Sequence, residues 1–400
     1  MSGEPSSDTT CLLLLPDKQL SRLRGLTSAP SATVGGVRFV THEPATDADA
    51  TADIVLHKHQ YDVAVAAGAP CDAATAAAAR CEALRRVASR AALFDPLPAV
   101  ARFADRSALC GALAELAPAV EQPRFAVLAD DSDASISAAL KQLRFPVLCK
   151  PLVACGTAES HALAVALRED GLRELCTSGG GGGPLRPPML LQEHVNHGGV
   201  VLKAYLVGEA THLASKPSLP DLDPEWIGET DKPALVCFDS QKPCPGPAHF
   251  GPSAVPFAMR RRDPAHFGPS PNRDEVDAIL RAVARKLGVQ LLGVDLVEAD
   301  DGRLLVVDAN YFPMSPDSFP GLADALAAAV RRAAARDGRS ARAEPTLPPG
   351  AQVLLRGLSS HPELNGAQAG VGAWHVAKGR FSVRLSSGAY ILLPEIKYRN

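Results

Sequence analysis

The sequence lacks a marked excess of charge of either sign. Its 41 Lys and Arg residues and 44 Asp and Glu residues leave a formal net charge of -3 over 400 residues. Proteins that bind nucleic acids generally carry a strong positive field, so no nucleic-acid partner is expected. Any anionic ligand must therefore be bound by a few placed Lys, Arg and His residues in a local pocket.

The N-terminal residues lack the features of a targeting or membrane-spanning segment. The apolar run there is confined to Cys11–Leu15, and no basic region precedes it. A secretory signal has a basic region and a longer apolar core, and a membrane-spanning helix needs roughly 20 apolar residues. We therefore expect no membrane span and a cytoplasmic location, with the nucleus as a second compartment.

Cysteine pairs and spaced glycine motifs are also missing. Nine cysteines are present, without C-x-x-C spacing, which disfavours a zinc site or a disulfide framework and predicts reduced thiols. The glycines at 179–183 are contiguous, whereas phosphate-binding motifs space their glycines and end in a helix or a lysine. This run is therefore predicted to be a flexible loop.

The chain is long enough for two or three domains. From Cys11 onward, short apolar segments alternate with helical ones, which predicts an α/β unit of roughly 90 residues. Apolar spacing predicts helices over 72–94, 273–288 and 319–335, and the Pro- and Gly-rich stretch 241–273 is predicted to be a surface loop. A polar linker over 336–350 precedes short strands and tight turns over 351–398, which predict a small all-β barrel.

A pair of carboxylates is the most informative feature of the stretch LLGVDLVEADDGRLLVVDAN, residues 291–310. Asp301-Gly302 predicts a two-residue hairpin loop, which would place Asp295 opposite Asp308 at about 5 Å between Cβ atoms. Asn310 lies two residues further on, on the same face. Two such carboxylates need a cation between them, and Mg²⁺ with phosphate and water in its remaining positions fits. The alternative is that both are ordinary strand-end residues.

Six segments in this order carry a family resemblance. They are DIVLHK (53–58), FPVLCKPLVACGTAESH (145–161), LLQEHVNHGGVVLKAYLVG (190–208), KPSLPDL (216–222), GVDLVE (293–298) and VVDANYFP (306–313). Over roughly residues 11–335 the chain resembles the inositol 1,3,4-trisphosphate 5/6-kinase, or inositol-tetrakisphosphate 1-kinase, family. The resemblance implies an α/β (α+β) protein with the ATP-grasp fold. It also implies an inositol-phosphate-binding α/β domain over 1–95, followed by central and C-terminal ATP-grasp subdomains over 96–335.

The same resemblance implies an ATP-dependent inositol polyphosphate kinase, with ATP as co-substrate and Mg²⁺ as cofactor. The nucleotide would be bound by Arg106, Lys150, Gln192, Glu193, His194, Val195, Lys203 and Ser218. Mg²⁺ would be bound by Asp295, Asp308 and Asn310, and the inositol phosphate by Lys18, Lys58, His161, Lys203 and Asn310. Lys150, Lys203 and Asp308 would be the catalytic residues. No nucleophilic residue is required, because an inositol hydroxyl can attack the γ-phosphorus directly, and no general base is evident in the sequence.

The sequence departs from the family pattern at four places. Met314, Ser315 and Pro316 follow NYFP where the family usually has Gly-Tyr, and Glu159 stands where plant-like members often have a lysine. Lys216 stands where the family has an arginine, and His194 stands where an apolar aromatic residue is common. An arginine holds phosphate through two parallel hydrogen bonds, and a lysine acts as a point charge. Substrate preference and rate are the properties that these departures affect.

Two other functions stay open at this stage. One is an ATP-grasp ligase that activates a carboxylate, a class that generally needs arginine where this chain offers Lys and His. The other is a nucleotide-binding scaffold without turnover that works through residues 351–400. That tail resembles a small SH3-like module, for which a protein partner or a purely stabilising role is expected.

Overall fold

The computed structural model describes residues 9–23, 26, 33–41, 52–66, 74–88, 91–157, 159–182, 185–246, 249–250, 272–343, 352–354, 362–364, 366–375, 380–385 and 390–393. The chain divides into two compact units, Met1–Ala334 and Ala335–Asn400. Within the described residues, no helix combines the length and the apolar character needed to cross a membrane.

The first sheet of the larger unit is mostly parallel, with the strand order β2-β3-β1-β4-β5. Its strands are β1 (Thr9–Leu14), β2 (Thr33–Val34), β3 (Val37–Thr41), β4 (Ile54–His57) and β5 (Ala92–Leu93). The helices α1 (Asp17–Arg22), α2 (Gln60–Ala66) and α3 (Ala74–Ala88) follow β1 and β4. Apolar side chains cover both faces of β1 and β4, as expected for central parallel strands.

The carboxyl ends of β1 and β4 lie side by side. Leu14 pairs with His57, and the backbone N–H of Lys58 donates to the Leu14 carbonyl at 3.2 Å. Helix α1 begins just after β1, so Lys18 and Lys58 both follow this edge of the sheet. Loops at the carboxyl edge of a parallel sheet are the usual location of ligand sites.

Two short helices connect this sheet to the next. They are α4 (Leu97–Ala101), which continues into a 3₁₀ turn over Arg102–Ala104, and α5 (Arg106–Ala114). The Asp105 carboxylate accepts the backbone N–H groups of Ser107 and Ala108, which caps the start of α5. Arg106 is therefore the first residue of a well-fixed helix.

The second sheet has the strand order β12-β8-β7-β9-β6 and is antiparallel. Its strands are β6 (Phe125–Leu128), β7 (Val147–Pro151), β8 (Ala162–Ala166), β9 (Met189–Glu193) and β12 (Leu235–Asp239). Helices α6 (Asp133–Leu140) and α7 (Glu169–Gly182) contribute Ile136, Leu172 and Leu175 to the core of this sheet. Helix α8 (Pro224–Gly228) precedes β12.

The third sheet, β11-β10-β13-β14, is also antiparallel. Its strands are β10 (Val200–Val207), β11 (Ala210–Pro217), β13 (Leu291–Glu298) and β14 (Leu304–Tyr311). Helix α9 (Arg273–Leu287) packs Val276, Ile279, Leu280 and Val283 into the main core and ends at Gly288, which has the left-handed conformation. Helix α10 (Leu322–Ala343) packs against the same core through Leu326 and Val330.

Two predictions about chain segments were wrong. The glycine run was predicted to be a loop, but α7 continues through Gly182. Propagating a helix is far easier than starting one, and the first turns of α7 are anchored by buried leucines. Residues 336–343, predicted as linker, continue α10, in keeping with their alanine and arginine content. Most of the predicted surface loop over 241–273 lies outside the described residues.

The hairpin of β13 and β14 confirms the predicted pairing of Asp295 with Asp308, although the predicted loop is wrong. The backbone N–H of Ala299 donates to the Arg303 carbonyl at 3.0 Å, so the loop has three residues, 300–302, with Gly302 at a φ of 83°. That longer loop alone would place Asp295 opposite Val307. A bulge between Asp295 and Leu296 adds one unpaired residue on β14 and restores the pairing.

The smaller unit contains a four-stranded antiparallel sheet, β15 (Gln352–Leu354), β16 (Gln368–His375), β17 (Arg380–Leu385) and β18 (Tyr390–Leu393). The predicted short strands are therefore confirmed, and closure into a barrel stays a prediction. All eight cysteines among the described residues are free thiols, and Cys71 lies outside them.

Candidate active site

A cavity of about 760 Å³ lies between the second and third sheets. Its volume is in the range typical of sites for small molecules and cofactors. Ten of the predicted site residues line it: Arg106, Lys150, Gln192, Glu193, His194, Val195, Lys203, Ser218, Asp295 and Asp308. Lys18, Lys58, His161 and Asn310 are not among its lining residues.

Lys150, on β7, links the two sheets across the cavity. Its ammonium donates to Gln192 Oε1 at 2.7 Å and to the carbonyl of Val307 at 2.9 Å. The residue is 6% exposed, and this burial lowers the pKa of Lys150, while the nearby charge of Asp308 opposes the shift. Val307 is the unpaired residue of the bulge, so its carbonyl is available to the lysine.

Lys203, Asp295 and Asp308 form a row across three neighbouring strands. Lys203 on β10 pairs with Asp295 on β13, which pairs with Asp308 on β14. The Lys203 ammonium lies 2.5 Å from Asp295 Oδ2, with the two side chains 25% and 18% exposed. Burial raises the pKa of the Asp295 carboxyl, and the positive charge of Lys203 opposes that shift. Burial of Lys203 lowers the pKa of its ammonium, but the carboxylate of Asp295 acts in the opposite direction, and the net effect is a raised pKa.

The same row provides oxygen ligands that suit a hard divalent cation. Asp295 and Asp308 face each other, and Asn310 Nδ2 donates to Asp308 Oδ2 at 3.0 Å, which holds the amide beside the carboxylate. Carboxylate and amide oxygens on one face of a stiff hairpin fit Mg²⁺, which also needs oxygens from phosphate or water. Among the described residues, no group of three or more His, Cys, Asp or Glu forms a metal cage. Two carboxylates and an amide would therefore bind Mg²⁺ together with a ligand's oxygens.

Arg106 was predicted to contact phosphate, and the structure gives its guanidinium other partners. Nη1 donates to the carbonyls of Pro151 and Val153 at 2.7 and 3.0 Å, and Nη2 donates to the carbonyl of Ser160 at 3.0 Å. These bonds tie the start of α5 to the segment between β7 and β8. Nε is buried without a partner, and Arg106 lines the cavity. A phosphate contact through Nε is compatible with this arrangement and stays a prediction.

The residues 192–195, which are predicted to bind the nucleotide, lie at the end of β9 and directly after it. The backbone N–H groups of Glu193 and His194 donate to the carbonyls of Arg124 and Pro146, both at 2.8 Å. Gln192 Nε2 and His194 Nε2 are buried polar atoms without a partner on the cavity wall. Burial lowers the pKa of His194 to about 3, so its ring is neutral. A ligand with polar edges would satisfy these atoms, as expected of a nucleobase.

Asp221 is a buried carboxylate that the sequence did not single out. It accepts the backbone N–H groups of His197 and Gly198, both at 2.8 Å, and so fixes the loop between β9 and β10. The only signal in the sequence was an aspartate after a Pro-Ser-Leu-Pro segment, and its partners lie more than 20 residues away. Such a contact cannot be read from local spacing.

The predicted acceptor-site cations lie at the carboxyl edge of the first sheet and just before the start of β8. The Lys58 ammonium donates to the carbonyl of Phe312 at 2.7 Å, two residues after Asn310. Burial and the charges of Arg22 and Lys18 lower the pKa of Lys58 to about 8. His161 Nδ1 lies 3.2 Å from Ser240 Oγ. Burial lowers the pKa of His161, and the charges of Arg106 and Lys18 act in the same direction. Lys58 thus contacts the chain just beyond β14, and the charge of Lys18 acts on both Lys58 and His161.

A protein-family model matches more than half of the chain. The model described as the inositol 1,3,4-trisphosphate 5/6-kinase ATP-grasp domain matches residues 117–326, just over half of the chain. The chain belongs to this family. Its ATP-grasp fold accounts for the two sheets that enclose the cavity.

Curated relatives of this kinase family match similar regions. The inositol-tetrakisphosphate 1-kinase 1 of Zea mays is 34% identical over 234 residues, covering 55% of this chain and 62% of the relative. The inositol-tetrakisphosphate 1-kinase of Danio rerio is 28% identical over 230 residues, covering 55% of this chain and 52% of the relative. The chain thus spans between half and two thirds of the length of these two proteins.

Solved structures extend the fold comparison to most of the chain. The D-alanine–D-alanine ligase of Bacillus anthracis superposes with a TM-score of 0.50 at 13% identity, covering 83% of this chain and 99% of the ligase. At this identity the likeness concerns the fold alone.

Proposed function

We propose that the protein is an ATP-dependent inositol polyphosphate kinase. It transfers the γ-phosphate of ATP to a hydroxyl group of an inositol tris- or tetrakisphosphate. Membership of the family and the likeness to inositol-tetrakisphosphate 1-kinases support this proposal. Residues 1–95 would bind the inositol phosphate, and residues 96–335 would bind the nucleotide.

One structural observation carries most of the proposal. Lys58, from the first sheet, contacts the backbone of Phe312, just beyond the oxygen ligands Asp308 and Asn310. A group of cations suited to a polyanionic acceptor therefore adjoins the oxygen ligands suited to magnesium triphosphate. Transfer between two anions requires this arrangement, because charge neutralisation and alignment supply most of the catalysis of phosphoryl transfer.

Within this proposal, each cation has a distinct task at the donor end. Lys150, held by Gln192 and Val307, would offer its remaining N–H donor to a phosphate oxygen of ATP. Lys203 would move its ammonium from Asp295 toward the transferring phosphoryl group when metal occupies the carboxylates. Mg²⁺, held by Asp295, Asp308 and Asn310, would neutralise the charge on the phosphate oxygens.

At the acceptor end, Lys18, Lys58 and His161 would bind the phosphates already on the inositol ring. Lysines suit this task because they act as point charges with little steric demand. The acceptor oxygen would form a bond to the γ-phosphorus as the bond to the β-phosphate oxygen breaks. ADP would leave, and the hydroxyl proton would be lost.

A direct assay tests the proposal against the two other functions. The purified chain is incubated with Mg-ATP and a panel of inositol tris- and tetrakisphosphates, and the products are resolved by chromatography. We expect a new inositol phosphate in equal amount to the ADP released. ADP without a new inositol phosphate would instead favour a carboxylate ligase, and no ADP at all would favour a nucleotide-binding scaffold.

The cellular location and the smaller unit belong to the same proposal. We infer a cytoplasmic protein that is also present in the nucleus, and a protein partner that binds through residues 351–400. The four-stranded sheet of that unit supports the second inference only in providing a separate folded surface. Fractionation of cells that express the tagged chain, with and without residues 351–400, tests both.

A further inference from the structure

The chain segment that follows Asn310 has an unusual backbone. Phe312 is fully buried and has a φ of 44°, a conformation that bulky side chains rarely adopt. Such conformations cost on the order of 1–3 kcal/mol and persist where the surroundings hold them. The turn 312–314 therefore depends on contacts from other parts of the chain.

One of these contacts comes from β13. A Cβ atom on Gly293 would lie 2.3 Å from Pro313 Cγ, so only glycine leaves room for the proline ring. Gly293 pairs with Asn310, and it shares a strand face with Asp295. The turn thus folds back over the face that carries the magnesium ligands.

Two further contacts come from the first sheet. Lys58 Nζ donates to the carbonyl of Phe312 at 2.7 Å, and Gln19 Nε2 donates to the carbonyl of Met314 at 2.9 Å. Gln19 is only 3% exposed and is next to Lys18 in α1. Helix α1 has six residues and no side-chain cap, so its position depends on such tertiary contacts.

The two donors differ in what an acceptor would do to them. The Lys58 ammonium is charged, so a phosphate on the acceptor competes with the Phe312 carbonyl for it. The Gln19 amide is neutral, so a phosphate attracts it far less than it attracts the ammonium. The bond from Gln19 to Met314 can therefore persist while the acceptor is bound.

We propose that Gln19 is a positioning residue that sets which inositol hydroxyl meets the γ-phosphorus. By holding the turn 312–314 against α1, it fixes the separation between Lys18 and Asn310. This inference rests on the proposed kinase function. A misplacement of about 1 Å at the reacting centre can cost roughly a hundredfold in rate, so one hydrogen bond at this contact is sufficient to select a hydroxyl.

The test replaces Gln19 in the full-length chain and measures three quantities. These are the ratio of inositol phosphate isomers formed, the ADP released per inositol phosphate formed, and the KM values for both substrates. Gln19→Leu has a similar size and no donor, and Gln19→Glu keeps a polar side chain but has no N–H group. Ser21→Ala is the matched control, because Ser21 is exposed in the same helix and its hydroxyl donates to the Lys18 carbonyl at 3.0 Å.

For both Gln19 variants we expect the rate of phosphoryl transfer to fall roughly ten- to a hundredfold. We also expect more than one product isomer and more ADP than inositol phosphate product. The KM for ATP should stay within about twofold of the wild-type value. An unchanged isomer ratio and unchanged ADP stoichiometry in a folded variant would overturn the role of Gln19. If Gln19→Leu does not fold, the isomer ratio and the ADP stoichiometry of Gln19→Glu alone test the proposal. A wild-type chain that forms no inositol phosphate would overturn the proposed function itself.

Discussion

The roles of the two carboxylates, Asp295 and Asp308, can be distinguished by a matched pair of substitutions, Asp308→Asn and Asp295→Asn. Both remove one negative charge from the same strand face and keep the side-chain shape. Asp295 is in direct contact with an ammonium, since its Oδ2 lies 2.5 Å from Lys203 Nζ, and the charge of Asp308 also acts on Lys150 and Lys203. The two variants should therefore have the same effect on metal-dependent transfer and different effects on stability.

The expected magnitudes follow from these contacts. Loss of a charged magnesium ligand removes several kcal/mol of transition-state stabilisation, so each variant should lose roughly a thousandfold or more in transfer rate. A hydrogen bond between charged groups contributes about 1.5–3 kcal/mol. Because the Lys203 and Asp295 side chains are 25% and 18% exposed, screening reduces the expected cost of Asp295→Asn to about 1–2 kcal/mol. Asp308→Asn removes a like-charged neighbour of Asp295 and also a favourable charge near the buried Lys150 ammonium, so the two effects oppose each other and stability should change by less than about 1 kcal/mol.

Urea denaturation gives the free energy of unfolding, and product chromatography at several magnesium concentrations gives the rate. Undiminished transfer by Asp308→Asn would refute the assignment of the metal ligands. Equal losses of stability in the two variants would refute the argument that the direct contact with Lys203 makes Asp295 the more important of the two for stability. A thousandfold loss of rate in both, with a stability loss only in Asp295→Asn, is the outcome that the geometry predicts.

Three further outcomes are expected. Lys58→Ala should raise the KM for the inositol phosphate more than the KM for ATP, and an equal rise in both would contradict an acceptor role. Because the pKa of Lys58 is lowered to about 8, its ammonium is lost as pH rises through that value. The KM for the acceptor in the wild-type protein should therefore increase above about pH 8, and this increase should be absent in Lys58→Ala. Gly293→Ala should reduce both stability and transfer, because its Cβ would lie 2.3 Å from Pro313 Cγ; a fully active, fully stable variant would show that the turn can move freely.

Local patterns in the sequence were sufficient to predict most of the large elements. The apolar spacing of 273–288 predicted α9, and the run from Leu304 predicted β14, since burial imposes the same period on the sequence that the element has in space. The limits of α7 and α10 were not predictable in this way. The glycines of α7 are unfavourable in a helix, yet packing of the preceding turns carries that helix onward, while the alanine and arginine content of 336–343 favours the continuation of α10.

Within the site, the pairing of Asp295 with Asp308 was predicted for a reason that was only partly right. The prediction assumed a two-residue loop. The loop has three residues, and Asp295 still pairs with Asp308 because a bulge adds one unpaired residue to β14. The partners of Lys150, Asp221 and Gln19 were not predicted. Each of these side chains bonds to groups between 23 and 295 residues away, and no local spacing encodes such contacts.

The bulge in β14 connects the nucleotide and metal parts of the site physically. Without the unpaired residue, the three-residue loop would place Asp295 opposite Val307, and the two carboxylates would not face each other. The same unpaired residue leaves the Val307 carbonyl to accept from Lys150 at 2.9 Å. One irregularity of the ladder therefore sets both the pairing of the two carboxylates proposed to bind magnesium and the contact of Lys150 from the opposite sheet. Because the sheets that enclose the cavity are joined at this residue, the position of one sheet relative to the other is coupled to the geometry of the metal ligands.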